Sequence, residues 1–167
     1  QLNLRKEILP LAVIHQGLYR QLAVFSFLLL FLVFSGYAVT VSWWWLAPLV
    51  LIQTLLTAAC GLWGALLVCF RRDCLLLIQL GMLFLLFMSG VFWDLNAIPD
   101  ERSRQWLLAL NPLAALIDGY RQILLLGVAP GHDALIRVLV QALALLGLVL
   151  WAYSRLQYWI ARQVISR

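Results

Sequence analysis

The chain has 167 residues, of which 65% are hydrophobic and only 11% charged, with a net charge of +5. An ordinary soluble domain is nearer half apolar and a quarter charged, and a chain this short has too little interior to hide that many Leu, Val and Phe side chains from water. The composition excludes a soluble globule for most of the chain. It also argues against nucleic acid as a partner, because the basic residues are dispersed between apolar runs and do not cluster on one wet face.

Residues 1–17 mix Leu2, Leu4, Ile8 and Leu9 with Arg5, Lys6 and Glu7, with Pro10 in the middle. This predicts a short amphipathic segment on the cytoplasmic membrane surface. Four apolar runs follow that meet the roughly 20-residue requirement for a spanning helix, at about 18–40, 44–70, 74–93 and 134–154. The second is interrupted only by Gln53, Thr54 and Thr57, the third by Gln79 and Ser89, and the fourth carries Arg137 and Gln141 near its start.

The region 105–128 is also apolar but contains Asn111, Pro112, Asp118 and Arg121. Pro112 lacks a backbone donor and disfavours helix at Asn111. Each resulting piece, at about 1.5 Å per residue, is too short for a core of roughly 30 Å. The expectation is a re-entrant or interfacial hairpin on the outer side, over about 97–128. Asp118 and Arg121, three apart, would share a helix face and could pair. Gly127 and Gly131 have the spacing of a helix-packing motif, but Pro130 makes a turn the better reading.

Charge placement tests the count. With four spans and both ends cytoplasmic, the inner side holds Arg5, Lys6, Arg20, Arg71, Arg72, Arg155, Arg162 and Arg167 against Glu7 and Asp73, a net +6. The outer side holds Arg102, Arg104, Arg121 and Arg137 against Asp94, Asp100, Glu101, Asp118 and Asp133, a net −1. That asymmetry follows the positive-inside rule, and a fifth crossing would put the Arg-bearing C-terminus outside. Trp43, Trp44, Trp45, Trp93 and Trp106 fall where the outer headgroup level is expected, and aromatic anchoring accounts for them. The fold class is therefore all-α: a single polytopic domain of four transmembrane helices plus the outer hairpin.

No catalytic constellation is visible. His15 and His132 fall on opposite expected sides, and no span carries a His or Lys beside Ser89 to act as a base. Cys60, Cys69 and Cys74 fit neither a disulfide framework nor a zinc motif and read as ordinary buried small residues. Lys6 is the only lysine and follows no Gly-rich loop, so the chain has no P-loop for ATP. No metal or cofactor is expected in this chain.

The ordered features carry a resemblance. Arg5-Lys6-Glu7-Ile8-Leu9-Pro10-Leu11 precedes a span, and Phe70-Arg71-Arg72-Asp73 forms a later turn. Ser89-Gly90-Val91-Phe92-Trp93 ends a span, followed by Leu110-Asn111-Pro112-Leu113, Ile117-Asp118-Gly119-Tyr120-Arg121 and Gly127-Val128-Ala129-Pro130. This order resembles the permease subunit of type 2 ABC exporters, in particular the bacterial exporters of O-antigen (the polysaccharide of lipopolysaccharide), capsular polysaccharide and teichoic acid. The chain departs from that pattern in having Gly90 and Trp93 where the family shows Pro and Tyr, and in a shortened first segment.

The resemblance implies the last four of six spans, with two lying upstream of Gln1, in a bacterial inner membrane. It implies a second copy of the chain enclosing a channel, a separate cytoplasmic ATPase subunit, and a glycan or lipid-linked glycan as substrate. Arg5, Lys6, Glu7 and Pro10 would form the coupling helix, and Arg71, Arg72 and Asp73 the second ATPase contact. Asn111, Pro112, Asp118 and Arg121 would belong to re-entrant helices at the outer mouth. The alternatives are a related exporter of a drug or lipid, and a non-transporting membrane scaffold.

Overall fold

A computed structural model describes residues 8–71, 73–92 and 98–165, with side chains described over 16–71, 73–92 and 98–156. Every regular element among them is helical: α1 Ile8–Phe34, a 3-10 turn Val41–Trp45, α2 Leu46–Phe70, α3 Cys74–Met88, α4 Glu101–Leu110, α5 Pro112–Leu124 and α6 His132–Ile165. Among the described residues, three stretches are helical, long and apolar enough to cross a membrane: Gln16–Phe34, Val41–Phe70 and His132–Leu156. α3 is as apolar but has 15 residues, about 22 Å of helix.

The compact units are residues 1–41 and 42–167. The first is dominated by α1. Pro10 stands in its first described turn. The helix closes sooner than the apolar run does. Gly36 takes φ 88°, its N–H bonds to the Val33 carbonyl at 3.1 Å, and the Tyr37 N–H bonds to the Leu32 carbonyl at 3.1 Å. This left-handed glycine cap stops the helix at Phe34, so residues 35–40 of the first expected span are not helical.

In the second unit α2 and α3 form an antiparallel hairpin, with Gly64 close against Ile78. α2 turns one stripe inward, Leu49, Ile52, Leu56, Ala59 and Leu66, at the three-, four- and seven-residue intervals of a helix face. Its longest interface is with α6, where Val138, Ala142 and Val149 are buried. Contacts at both ends fix the direction. Trp45 meets His132 edge-on with centroids 5.1 Å apart, Trp63 Nε1 donates to the Leu145 carbonyl at 3.2 Å, and the Tyr153 hydroxyl donates to the Leu62 carbonyl at 3.4 Å. α2 and α6 thus run parallel, with the Phe70 and Arg155 ends on one side and the Trp45 and His132 ends on the other.

α3 buries no residue within the chain; Leu76, Leu77, Leu80 and Phe84 are exposed. Such a helix suits lipid, which is as apolar as its side chains. The cysteines correct one expectation: Cys60 is exposed on α2, and Cys69 and Cys74 are half-buried free thiols. Two polar interruptions of α2 are silent, because the hydroxyls of Thr54 and Thr57 donate back to the carbonyls of Val50 and Gln53 at 2.7 and 2.8 Å.

Candidate functional site

The region around Pro112 folds as two helices joined at one residue. Asn111 closes α4, its N–H bonding to the Leu107 carbonyl at 2.9 Å. The same residue opens α5, its Oδ1 accepting from the N–H groups of Leu113 at 3.0 Å and Ala114 at 3.3 Å. Pro112 occupies the first position of α5, where its missing N–H has no intrahelical acceptor. The other end of α4 is capped by Asp100, whose carboxylate accepts from Arg102 N–H at 3.2 Å and Ser103 N–H at 3.1 Å. The Ser103 hydroxyl adds a third bond at 2.6 Å, and these bonds, Ser103's first, hold the Asp100 carboxyl below its usual range.

α5 is fastened to the rest of the unit at several points. Ala114, Ala115, Leu116, Gly119, Ile123 and Leu124 are buried. At Gly119 the backbone lies so near α2 that a Cβ would come within 3.2 Å of Leu49 Cδ1. One residue on, the Tyr120 hydroxyl donates to Gln53 Oε1 at 2.5 Å. Arg121 Nη2 donates to the Gly90 carbonyl at 2.7 Å, just past the end of α3, where Gly90 takes φ 76°. Beyond α5, Gly127 at φ 65° turns the chain, and its carbonyl accepts from the Ser42 hydroxyl at 2.6 Å. The Gly127–Gly131 spacing is a loop, as expected. α4 by contrast buries no residue; at its last turn the Ala109 carbonyl accepts from Gln141 Nε2 on α6 at 2.7 Å.

These anchors set the depth of the bend. Gln141 lies nine residues into α6 from His132, about 13 Å along its axis. Gln53 lies seven residues into α2 from Leu46, about 10 Å. The helix pair therefore sits at the Trp45 and His132 end of the bundle and reaches partway along it. A small cavity of about 20 Å³ between α5 and the start of α6 is lined by Asp118, Gln122, Gly131 and Ala134 among others.

The residues singled out from sequence fall as follows. Arg5, Lys6, Glu7, Arg72 and Trp93 lie outside the described residues, and Pro10 is described in backbone alone. Arg71 caps α2 through its N–H to the Leu67 carbonyl, and Asp73 begins α3 without a side-chain cap bond. Asn111 and Pro112 make the bend. Asp118 and Arg121 have separate partners in the bonds seen here: Asp118 accepts from Gln122 Nε2 at 2.8 Å, and Arg121 reaches Gly90. Trp43 and Trp45 are half-buried, while Trp44 and Trp106 are exposed.

Sequence reasoning gave no role to Tyr120, Gln53, Gln141 or Gly119. Two of them had a visible signal, since an amide inside an apolar run needs a partner. Which partner was not readable.

Two curated relatives, both named O-antigen export system permease protein RfbA from Klebsiella pneumoniae, are similar to this chain. One is 27% identical over 125 residues, covering 74% of this chain and 47% of the relative. The other is 27% identical over 124 residues, covering 73% and 47%. The chain thus spans about half the length of the curated relatives it matches. No solved structure matches it. Residues 6–125 match the family described as ABC-2 type transporter, so the chain belongs to the ABC-2 type transporter membrane family.

Proposed function

We propose that this chain is the membrane-spanning permease part of an ATP-driven exporter that moves polysaccharide or lipid-linked glycan out across the bacterial cytoplasmic membrane. Family membership over residues 6–125 carries the transport reading. The O-antigen export named for both relatives supports the glycan. ATP is hydrolysed in a separate cytoplasmic subunit, and two permease copies enclose the path.

The topology proposed is four crossings with both ends cytoplasmic and α4–α5 re-entrant from outside. The parallel course of α2 and α6 supports it. With α3 returning between them, a parallel α6 requires that α4 and α5 together make no net crossing. α3 alone is short for a typical core, and a locally thinned bilayer completes its crossing. In this orientation Arg71 and Asp73 lie at the cytoplasmic end of the second unit, as does Arg155, and offer one contact for the ATPase; the segment with Arg5, Lys6, Glu7 and Pro10 offers another.

The full-length protein, co-expressed with a candidate ATPase subunit, tests the reading. Co-purification and glycan delivery to the outer surface are expected, and an Arg5→Glu/Lys6→Glu double variant should lose ATPase binding. Intact docking in that variant would remove the coupling segment from the proposal. A cysteine introduced at Ser103 should react with impermeant reagents from outside; labelling from the cytoplasm alone would reverse the orientation.

A further inference from the structure

Two buried polar atoms at the bend have no hydrogen-bond partner among the described residues: Nδ2 of Asn111 and Oε1 of Gln141. The orientation of both amides follows from their other bonds. Asn111 Oδ1 accepts from Leu113 and Ala114, and Gln141 Nε2 donates to Ala109. Flipping either amide would set N–H against N–H or oxygen against oxygen. What remains is one donor and one acceptor. Both flank the same bend, since Gln141 holds the carbonyl of a residue two positions before Asn111. Both atoms are buried, and Asn111 as a whole is 8% exposed, so bulk water meets neither need in this conformation.

We infer that the α4–α5 bend is a hydroxyl-binding site, with Asn111 Nδ2 as donor and Gln141 Oε1 as acceptor, uncovered when α4 lifts from α6. A hydroxyl both accepts and donates, so this one kind of group can answer either atom, whereas a cation or an anion suits only one of them. The distribution of packing says which helix moves. α5 is held by six buried residues, Tyr120–Gln53 and Arg121–Gly90. α4 buries nothing, packs against α5, and is bonded to α6 at its last turn. Lifting α4 breaks the Gln141–Ala109 bond but exposes two atoms that the closed state leaves unpaired, so closed and open states lie near balance. The hydroxyl comes from water or from a sugar. The sugar source rests on the export reading above; the opening and its hydroxyl chemistry do not.

Amide hydrogen exchange on the full-length protein in phosphatidylethanolamine–phosphatidylglycerol nanodiscs tests this without any transport assay. In the wild type, amides of 105–110 should exchange about tenfold faster than those of 114–120, as expected of a locally opening segment. Asn111→Ser keeps an N-cap oxygen and exchanges the fixed, unpaired amide N–H for a hydroxyl hydrogen that can rotate to a nearby acceptor, so exchange over 105–110 should slow about tenfold. Asn111→Ala removes cap and donor together, and should instead speed exchange in the first turn of α5. Adding maltotetraose separates the sources. Altered exchange over 105–110 in the wild type but not in Asn111→Ser assigns the site to sugar hydroxyls. No response to the sugar, with the Asn111→Ser slowing intact, assigns it to water. Equal exchange of α4 and α5 in the wild type, or an Asn111→Ser profile matching the wild type, overturns the inference. Failure of glycan export in the wild type would overturn the function and leave this result standing.

Discussion

α4 and α5 are neighbours of similar length, 10 and 13 residues, joined at a single residue and capped by similar means. Their surroundings differ. α5 has Gly119 where it meets α2, so its backbone comes close, and Tyr120 and Arg121 reach Gln53 on α2 and the Gly90 carbonyl just past α3. α4 carries Glu101, Arg102, Ser103, Arg104 and Gln105 over its first half, has no buried stripe, and lies on the surface of the unit. Local capping suffices to make a helix, but burial and interhelical bonds decide whether that helix belongs to the rigid body. One half of the broken segment is part of the bundle, and the other rests against it.

That contrast can be broken most directly at Gly119. Gly119→Leu drives a branched side chain into the 3.2 Å space before Leu49, and overpacking of this kind costs about 3 kcal/mol. A large drop in the Tm of the detergent-solubilised full-length protein is expected; an unchanged Tm would mean that α5 is not seated against α2. Asn111→Ala removes the shared cap and should cost about 1 kcal/mol, read as loss of protection at the start of α5.

Tyr120→Phe deletes the bond to Gln53 and should cost about 0.6 kcal/mol, a typical interhelical hydrogen bond in a membrane protein. A double-mutant cycle with Gln53→Leu would show whether that energy belongs to the pair. On α4, Trp106→Ala and Leu110→Ala should stay within about 0.5 kcal/mol of wild type, since both side chains are exposed. A cost there as large as at Gly119 would erase the distinction between the two helices.

The smallest effect concerns pH. Folding lowers the Asp100 pKa, so its cap contributes fully above the ordinary aspartate value of about 3.9 and fades as pH falls through the lower folded value. Fraying at the start of α4 should therefore appear only in acid, and Asp100→Asn should flatten that dependence in a hydrogen-exchange titration.

Much of the helical layout was legible because helix formation is local. The apolar runs between the charged turns became α1, α2, α3 and α6, and Pro112 divided the fifth region at Asn111. Gly127 beside Pro130 made a loop. The ends were read less well. The first run continues past Phe34 in hydropathy, yet Gly36 closes the helix through backbone geometry that apolarity does not report. The third helix likewise stops at Met88, before Ser89 and Gly90.

Packing was less legible for a reason particular to membranes. In water, periodic polarity marks the face that turns outward. In lipid the outer face is as apolar as the inner one, so the buried stripe of α2 at Leu49, Ile52, Leu56, Ala59 and Leu66 leaves little periodic signal. The partners of polar groups were equally hidden. Asp118 and Arg121 have the spacing of a pair, but Gln122 lies one turn from Asp118 on the same face, and the end of α3 comes within reach of Arg121.

By itself, then, the sequence determined that this chain lives in a membrane as apolar helices, where one of them breaks, and which family it resembles. These depend on composition, backbone chemistry and ordered motifs. Only the tertiary structure decided that α2 and α6 run parallel, that α5 is buried against its neighbours while α4 is not, and that Tyr120 meets Gln53. Those outcomes depend on which surfaces approach closely enough to bond, and with apolar side chains on every face that choice is made by small residues and a few polar atoms across distant parts of the chain.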